Sequence, residues 1–152
     1  VVFDININDE FLEIVGSEMK FSRLDNGAPG DLNGAWLMSA RIRDGKKQER
    51  DISRPRKTMK ILSGTRFQWI AYNTETKKFM ATGGGTYTTL KGKYKENIEF
   101  FSRDNSKVGL NLEFDYEILI KTDDKKLVSQ KNWYHKGFSS KGNPINEIWT
   151  QR

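Results

Sequence analysis

The chain has 152 residues, with 26 Lys plus Arg against 20 Asp plus Glu, one histidine and no cysteine. That length fits one domain with a sizeable core, and the missing cysteines exclude a disulfide framework and a thiolate nucleophile and, with a single histidine, argue against a structural zinc site. No apolar run approaches the ~20 residues that cross a bilayer as a helix, and the net charge of +6 is too modest to imply nucleic acid as a partner.

The first residues are read as an arm or the remnant of a preceding module, 1–31, set before a barrel domain, 32–152. Phe3, Ile5 and Ile7 alternate as in a strand. Residues 9–19 place Phe11, Leu12, Val15 and Met19 at helical spacing and predict a short helix, followed by an extended stretch over 19–24. Residues 25–30 have the composition of a linker. The chain opens at Val1 without a methionine or a leader, as expected of a processed product whose targeting segment has been removed.

From residue 36 onward, short extended segments alternate with turn signals. Residues 36–43 carry Trp36, Met38, Ala40 and Ile42 on one face and Ser39, Arg41 and Arg43 on the other, a half-buried strand ended by Asp44-Gly45. Basic residues then crowd 41–60, read either as an anion-facing loop or as a solvated connection with Glu49 and Asp51 as partners. Strands follow over 58–62, 66–72, 78–90 and 93–101. The clearest run puts Val108, Leu110, Leu112, Phe114, Tyr116, Ile118 and Ile120 on one face. At ~3.3 Å per residue such a strand would be ~40 Å long and must coil around something. Strands over 127–135 and 145–152 complete the set. Eight strands joined by hairpins, with no crossover helix, predict an all-β, up-and-down barrel. An eight-stranded barrel has room inside for side chains or one small ligand.

Gly34 allows a tight entry to the first barrel strand, and the indole of Trp36 can then close one end. Arg152 ends the strand that should pair with the first, so its guanidinium is expected over the Trp36 ring. Gly34-x-Trp36, the Thr122-Asp123 turn and the closing Arg152 together resemble the lipocalin (calycin) signature. The stretches "TMKILSGTRFQWIAYNTETKKF", "GGGTY", "ENIEFFSRDNS" and "GFSSKGNPINEIW" resemble an uncharacterised, exported, lipocalin-like family of Bacteroidetes. Asp124 departs from the lipocalin pattern, and no helix follows the last strand. The resemblance implies a lipocalin-like barrel, a secreted or periplasmic location in the cell envelope, and a pocket of unspecified ligand.

Chemistry is sparse. Residues 82–89, "TGGGTYTT", lack the helix and lysine of a phosphate cradle, so the glycines are read as permitting a bulge or sharp coil. His135 lies beside Trp133 without a positioned nucleophile, and no catalytic residue, metal or cofactor is expected. Glu96 shares a face with Tyr94, Ile98 and Phe100, so it is expected inside with Arg66 or His135 as partner, either orienting a ligand or only stabilising the fold. The leading expectation is a non-catalytic barrel that binds a small, partly apolar ligand. Phe67, Trp69, Phe100 and Trp133 supply its walls, and Arg66, Glu96 and His135 its polar anchors. The alternatives are an interaction module using the basic 41–60 surface, and a hydrolase or isomerase acting at the barrel mouth.

Overall fold

The alternating segments of 34–151 close into a ring of antiparallel strands. The structure, a computed structural model, describes residues 2–25, 30–123 and 128–152; 26–29 of the predicted linker and Asp124 lie outside the described residues. Three short strands come first: β1 (Ile5–Ile7), β2 (Phe11–Ile14) and β3 (Lys20–Ser22). The remainder is β4 (Gly34–Arg43), β5 (Lys46–Glu49), β6 (Arg56–Leu62), β7 (Arg66–Asn73), β8 (Lys78–Leu90), β9 (Lys93–Phe101), β10 (Asn111–Asp123), β11 (Val128–Phe138) and β12 (Pro144–Gln151). Strands β4 and β6 to β12 are neighbours in chain order, and β12 pairs back onto β4, so eight strands form a closed barrel with β5 outside the ring. The closure is direct: Gln151 faces Trp36, and the Arg152 amide donates to the Ala35 carbonyl at 2.9 Å.

The arm does not contain the helix that the spacing of Phe11, Leu12, Val15 and Met19 predicts. It is a separate meander of β1, β2 and β3. The Asn8 side chain accepts from the amides of Glu10 and Phe11 at 2.8 and 2.9 Å, and Gly16 has φ of 78°, so both ends of the stretch are turns. The hydrophobic run of β10 is also shorter than its pattern suggests. A 3-10 turn over Asn105–Lys107 precedes it, and Val108 and Leu110 lie outside the strand, partly exposed. Strand β5 falls in a stretch read as loop: Asp44-Gly45, both at positive φ, forms a two-residue hairpin that folds Lys46–Glu49 back onto β4.

One end of the barrel is sealed by the segment before β4. Leu32 is fully buried and accepts a 2.7 Å hydrogen bond from the Trp36 indole. The Tyr116 hydroxyl donates to the Asp31 carboxylate at 2.7 Å, and Lys131 donates to its carbonyl at 3.1 Å. Among the described residues, the cation over the Trp36 ring is Lys131, at 5.6 Å, and not Arg152, whose side chain is exposed. Above this floor an aromatic core packs edge to face, with Trp133 5.7 Å from Trp36 and 5.2 Å from Tyr94.

Three register shifts interrupt the barrel ladders; one lies opposite Ala71 and Tyr72, and the other two are bulges that decide which side chains near the site enter the barrel. In β9, Ile98 pairs with Gly85 and Phe100 with Gly84, so Glu99 is an extra residue. The strand flips there: Phe101 turns inward to meet Trp69 at 5.4 Å, and Phe100 turns outward. The glycines opposite make this fit, because a Cβ on Gly85 would collide with the Asn97 carbonyl and lie 2.8 Å from the Glu99 amide. In β4, Met38 pairs with Trp149 but Ala40 with Ile148, so Ser39 is the extra residue. Beyond it, Arg41 and Arg43 share the inner face with Trp36 and Met38, which reverses the simple alternation.

Replacing Gly85 by alanine forces the bulged backbone apart. The expected loss is about 1–3 kcal/mol of unfolding free energy, read from urea denaturation against wild type.

Candidate functional site

Strand β6 alternates Arg56, Thr58, Lys60 and Leu62 on its inner face, from the open end of the barrel to the floor. Lys60 is 5% exposed. Its ammonium lies 2.7 Å from Glu96 Oε1, and the Tyr94 hydroxyl donates to the same oxygen at 2.8 Å. Burial, and then the Glu96 charge, push the Tyr94 phenol well above its ordinary range, so it remains a donor. The ammonium is further boxed by aromatic rings, with centroids 4.9 Å away for Trp133, 5.0 Å for Tyr94 and 5.4 Å for Trp149. Glu96 is therefore inside, as its parity predicts, but its partner is Lys60 rather than Arg66 or His135.

Around this pair lies a chamber of about 200 Å3, walled by Met38, Trp69, Leu112, Phe114, Ile145 and Trp149. Its polar groups are Lys60, Glu96, Thr58, His135, Glu147 and the hydroxyls of Ser139 and Ser140. His135 is 2% exposed, and among the described residues neither ring nitrogen has a hydrogen-bond partner. Glu147 Oε2 lies 3.8 Å from His135 Nδ1, beyond hydrogen-bond reach, while its other oxygen is 3.3 Å from Arg41. Burial works to raise the Glu147 carboxyl, but His135, Lys60 and Arg41 outweigh it and hold the group below its ordinary range. Burial, and then the Lys60 ammonium, hold His135 below its ordinary value of 6.5. A neutral imidazole beside a carboxylate can accept from one ligand group and donate to another.

The residues expected to line a pocket divide three ways. Trp69, Glu96 and His135 line the chamber. Phe67 and Trp133 belong to the packed core next to it. Arg66 and Phe100 do not enter the barrel: Arg66 pairs with Glu99 at 2.8 Å on the outer surface, and the Phe100 ring covers Gly84 from outside. Gly34 and Trp36 stand at the floor. Gly34 has φ of 124°, and a Cβ there would meet the Gln151 amide at 2.8 Å. Met38 shares its predicted face with Trp36, whereas Lys60, Glu147 and Trp149 are not singled out by the sequence reading. For Lys60 the one signal is that it shares a face with Leu62.

A family profile, "Domain of unknown function (DUF4488)", matches residues 31–151, and the chain belongs to that family. The match begins just before the barrel and ends with its last strand. An eight-stranded antiparallel barrel with this match fits a lipocalin-like fold. No curated protein matches the sequence.

Two outcomes follow. Lys60→Met leaves the Glu96 carboxylate buried without its counter-charge and is expected to cost about 3–5 kcal/mol in urea denaturation, most of it recovered in the Lys60→Met/Glu96→Gln double variant. His135 binds its proton less readily folded than unfolded, so the unfolded chain gains protons first as pH falls. The stability from the neutral ring is complete above pH ~6.5 and is lost progressively below it; His135→Phe is expected to flatten the stability profile between pH ~6.5 and ~5, above the range where Glu147 titrates.

Proposed function

We propose that this DUF4488 barrel is a non-catalytic vessel that holds one small, partly apolar molecule in the chamber above Lys60 and Glu96. The observation that carries the reading is His135: two buried ring nitrogens that have no partner among the described residues, on the wall of a hollow that Met38, Trp69, Phe114 and Trp149 also line. Buried polar groups are nearly always paired, and a ligand atom placed in the chamber would complete the pair. The apolar walls supply affinity and the few convergent polar groups supply orientation, the usual division in ligand sites. The chamber volume of about 200 Å3 sits below the ~300 Å3 at which drug-sized pockets begin, so the part held inside is small.

The reading as an interaction module has less support, because four arginines of its basic segment, Arg41, Arg43, Arg50 and Arg56, line a hollow at the barrel mouth, and Arg54 is the one left on the outer surface, paired with Asp51. A hydrolase or isomerase would need a hydroxyl or water-activating pair at His135, and among the described residues no hydroxyl is within hydrogen-bond distance of its ring. A location in the cell envelope is part of the proposal, supported by the resemblance of the barrel segments to exported lipocalin-like proteins.

Native mass spectrometry of freshly purified protein tests the reading, together with tryptophan fluorescence during titration with 1-octanol as a neutral probe. One retained molecule per chain, or a saturable fluorescence change, is expected for wild type, and loss of either in Thr58→Trp, where an indole fills the chamber. A response that survives in Thr58→Trp, or no response by either method, removes the proposal.

A further inference from the structure

We infer that the arginines around the barrel mouth grip an anionic head group, a carboxylate or phosphate monoester, on the molecule whose apolar part occupies the chamber. This rests on the vessel reading above.

The bulge at Ser39 turns Arg41 and Arg43 inward. The parity of β6 points Arg56 inward on the facing strand. The β4–β5 hairpin brings Arg50 back over the opening, where its guanidinium lies 2.7 Å from Met38 Sδ. Arg41, Arg43, Arg50 and Arg56 line a hollow of about 310 Å3, to which Thr58, Gln48 and Glu49 also contribute. Thr58 belongs to the chamber wall as well, so the two spaces adjoin. A further hollow of about 440 Å3 contains Arg41 and Arg43 and shares Ser139, Ile145 and Glu147 with the chamber. The collar hollows therefore border the chamber.

The charge in this space is not balanced from within. Glu49 is taken up by Lys47 at 2.6 Å, Glu96 by Lys60 at 2.7 Å and Glu147 by Arg41 at 3.3 Å. Among the described residues, Arg43, Arg50 and Arg56 have no carboxylate at salt-bridge distance, and Arg41 Nε is buried without an acceptor. The thioether that Arg50 touches is a weak acceptor. Burial, and then the charges of Arg41 and Arg56, pull the Arg50 guanidinium below its ordinary value, as expected for crowded like charges. An anion at the centre of the four offsets that repulsion, and guanidinium forks match the planar oxygens of carboxylate and the tetrahedral oxygens of phosphate. A polyanion such as single-stranded nucleic acid fits less well. It needs an open groove with stacking rings along it, whereas Trp69 and Trp149 here lie inside the barrel.

Affinities of octanoate, octyl phosphate, 1-octanol and inorganic phosphate are to be measured by calorimetry for wild type and for Arg43→Gln/Arg56→Gln, with thermal midpoints confirming that both fold. In wild type, octanoate or octyl phosphate is expected to bind about ten-fold or more tightly than octanol, and this ratio is expected to fall towards one in the double variant. The better of the two anions identifies the head group. If octanol binds as tightly as both anions, the anion inference fails and the vessel stands. If no tailed probe binds, the vessel reading itself fails. Inorganic phosphate binding as tightly as octyl phosphate overturns the coupling of collar to chamber. A single-stranded oligonucleotide that binds wild type in a salt-dependent way, is lost in the double variant and is not displaced by octanoate makes the collar a polyanion site and overturns the inference.

Discussion

A primary ammonium in the middle of an apolar barrel has to be answered by its surroundings, and Lys60 is answered in two ways. Glu96 supplies the counter-charge at 2.7 Å, and Tyr94, Trp133 and Trp149 turn their rings toward the cation. The arrangement fixes the registers of four separate strands. Lys60 comes from β6, Glu96 and Tyr94 from β9, and the two indoles from β11 and β12. Slipping any of these strands by one residue would send its contribution to the outer face. The ion pair thus acts as a specification of the fold more than as a source of net stability, since burying both charges costs much of what their attraction returns.

That specification works only because the sheet closes. The ladder between β4 and β12 turns a sheet with two open edges into an enclosed volume, and the segment through Asp31 and Leu32 caps it at one end. Closure at the other end is looser. Strand β4 pairs with β6 only from Gly34 to Leu37, and from Ala40 it pairs with β5 on that side. The two strands separate where the arginines lie, which leaves a mouth above a packed floor. The gradient along the barrel axis runs from indoles, through one buried ion pair and a neutral imidazole, to a cationic rim. A vessel for an amphiphilic molecule needs that order of surroundings.

Much of this was legible before any coordinates. Hairpin-linked alternation from residue 36 onward gave the eight strands, Gly34 and Trp36 marked the closed end, and the parity of Glu96 with Tyr94 and Ile98 placed it inside. The errors have one dominant physical cause. A bulge inserts one residue and inverts every side chain after it. At Glu99 a signal existed, in the three glycines of the facing strand, which leave room for the displaced backbone. At Ser39 nothing in the composition announces the extra residue, so Arg41 and Arg43 read as outward. Arg66 was a poor partner for Glu96 because odd positions of β7 face inward and even ones face out. The arm misled in another way: four apolar residues at helical spacing carry little weight when Asn8 and Gly16 fold the chain back at either side.

The extra residue at Ser39 has an evolutionary corollary. It divides one strand into two halves whose inside and outside are counted from different origins, so the polarity of the barrel opening is set by the kink as much as by residue identity. Point substitution can tune the collar one guanidinium at a time. Straightening the strand at Ser39 with every residue kept would instead bring Ile42 to the lip in place of Arg41 and Arg43 and convert a cationic gateway into an oily one, with the sequence almost unchanged. Two sequences that differ only in keeping or losing this kink would therefore differ in the character of the opening while still aligning nearly perfectly.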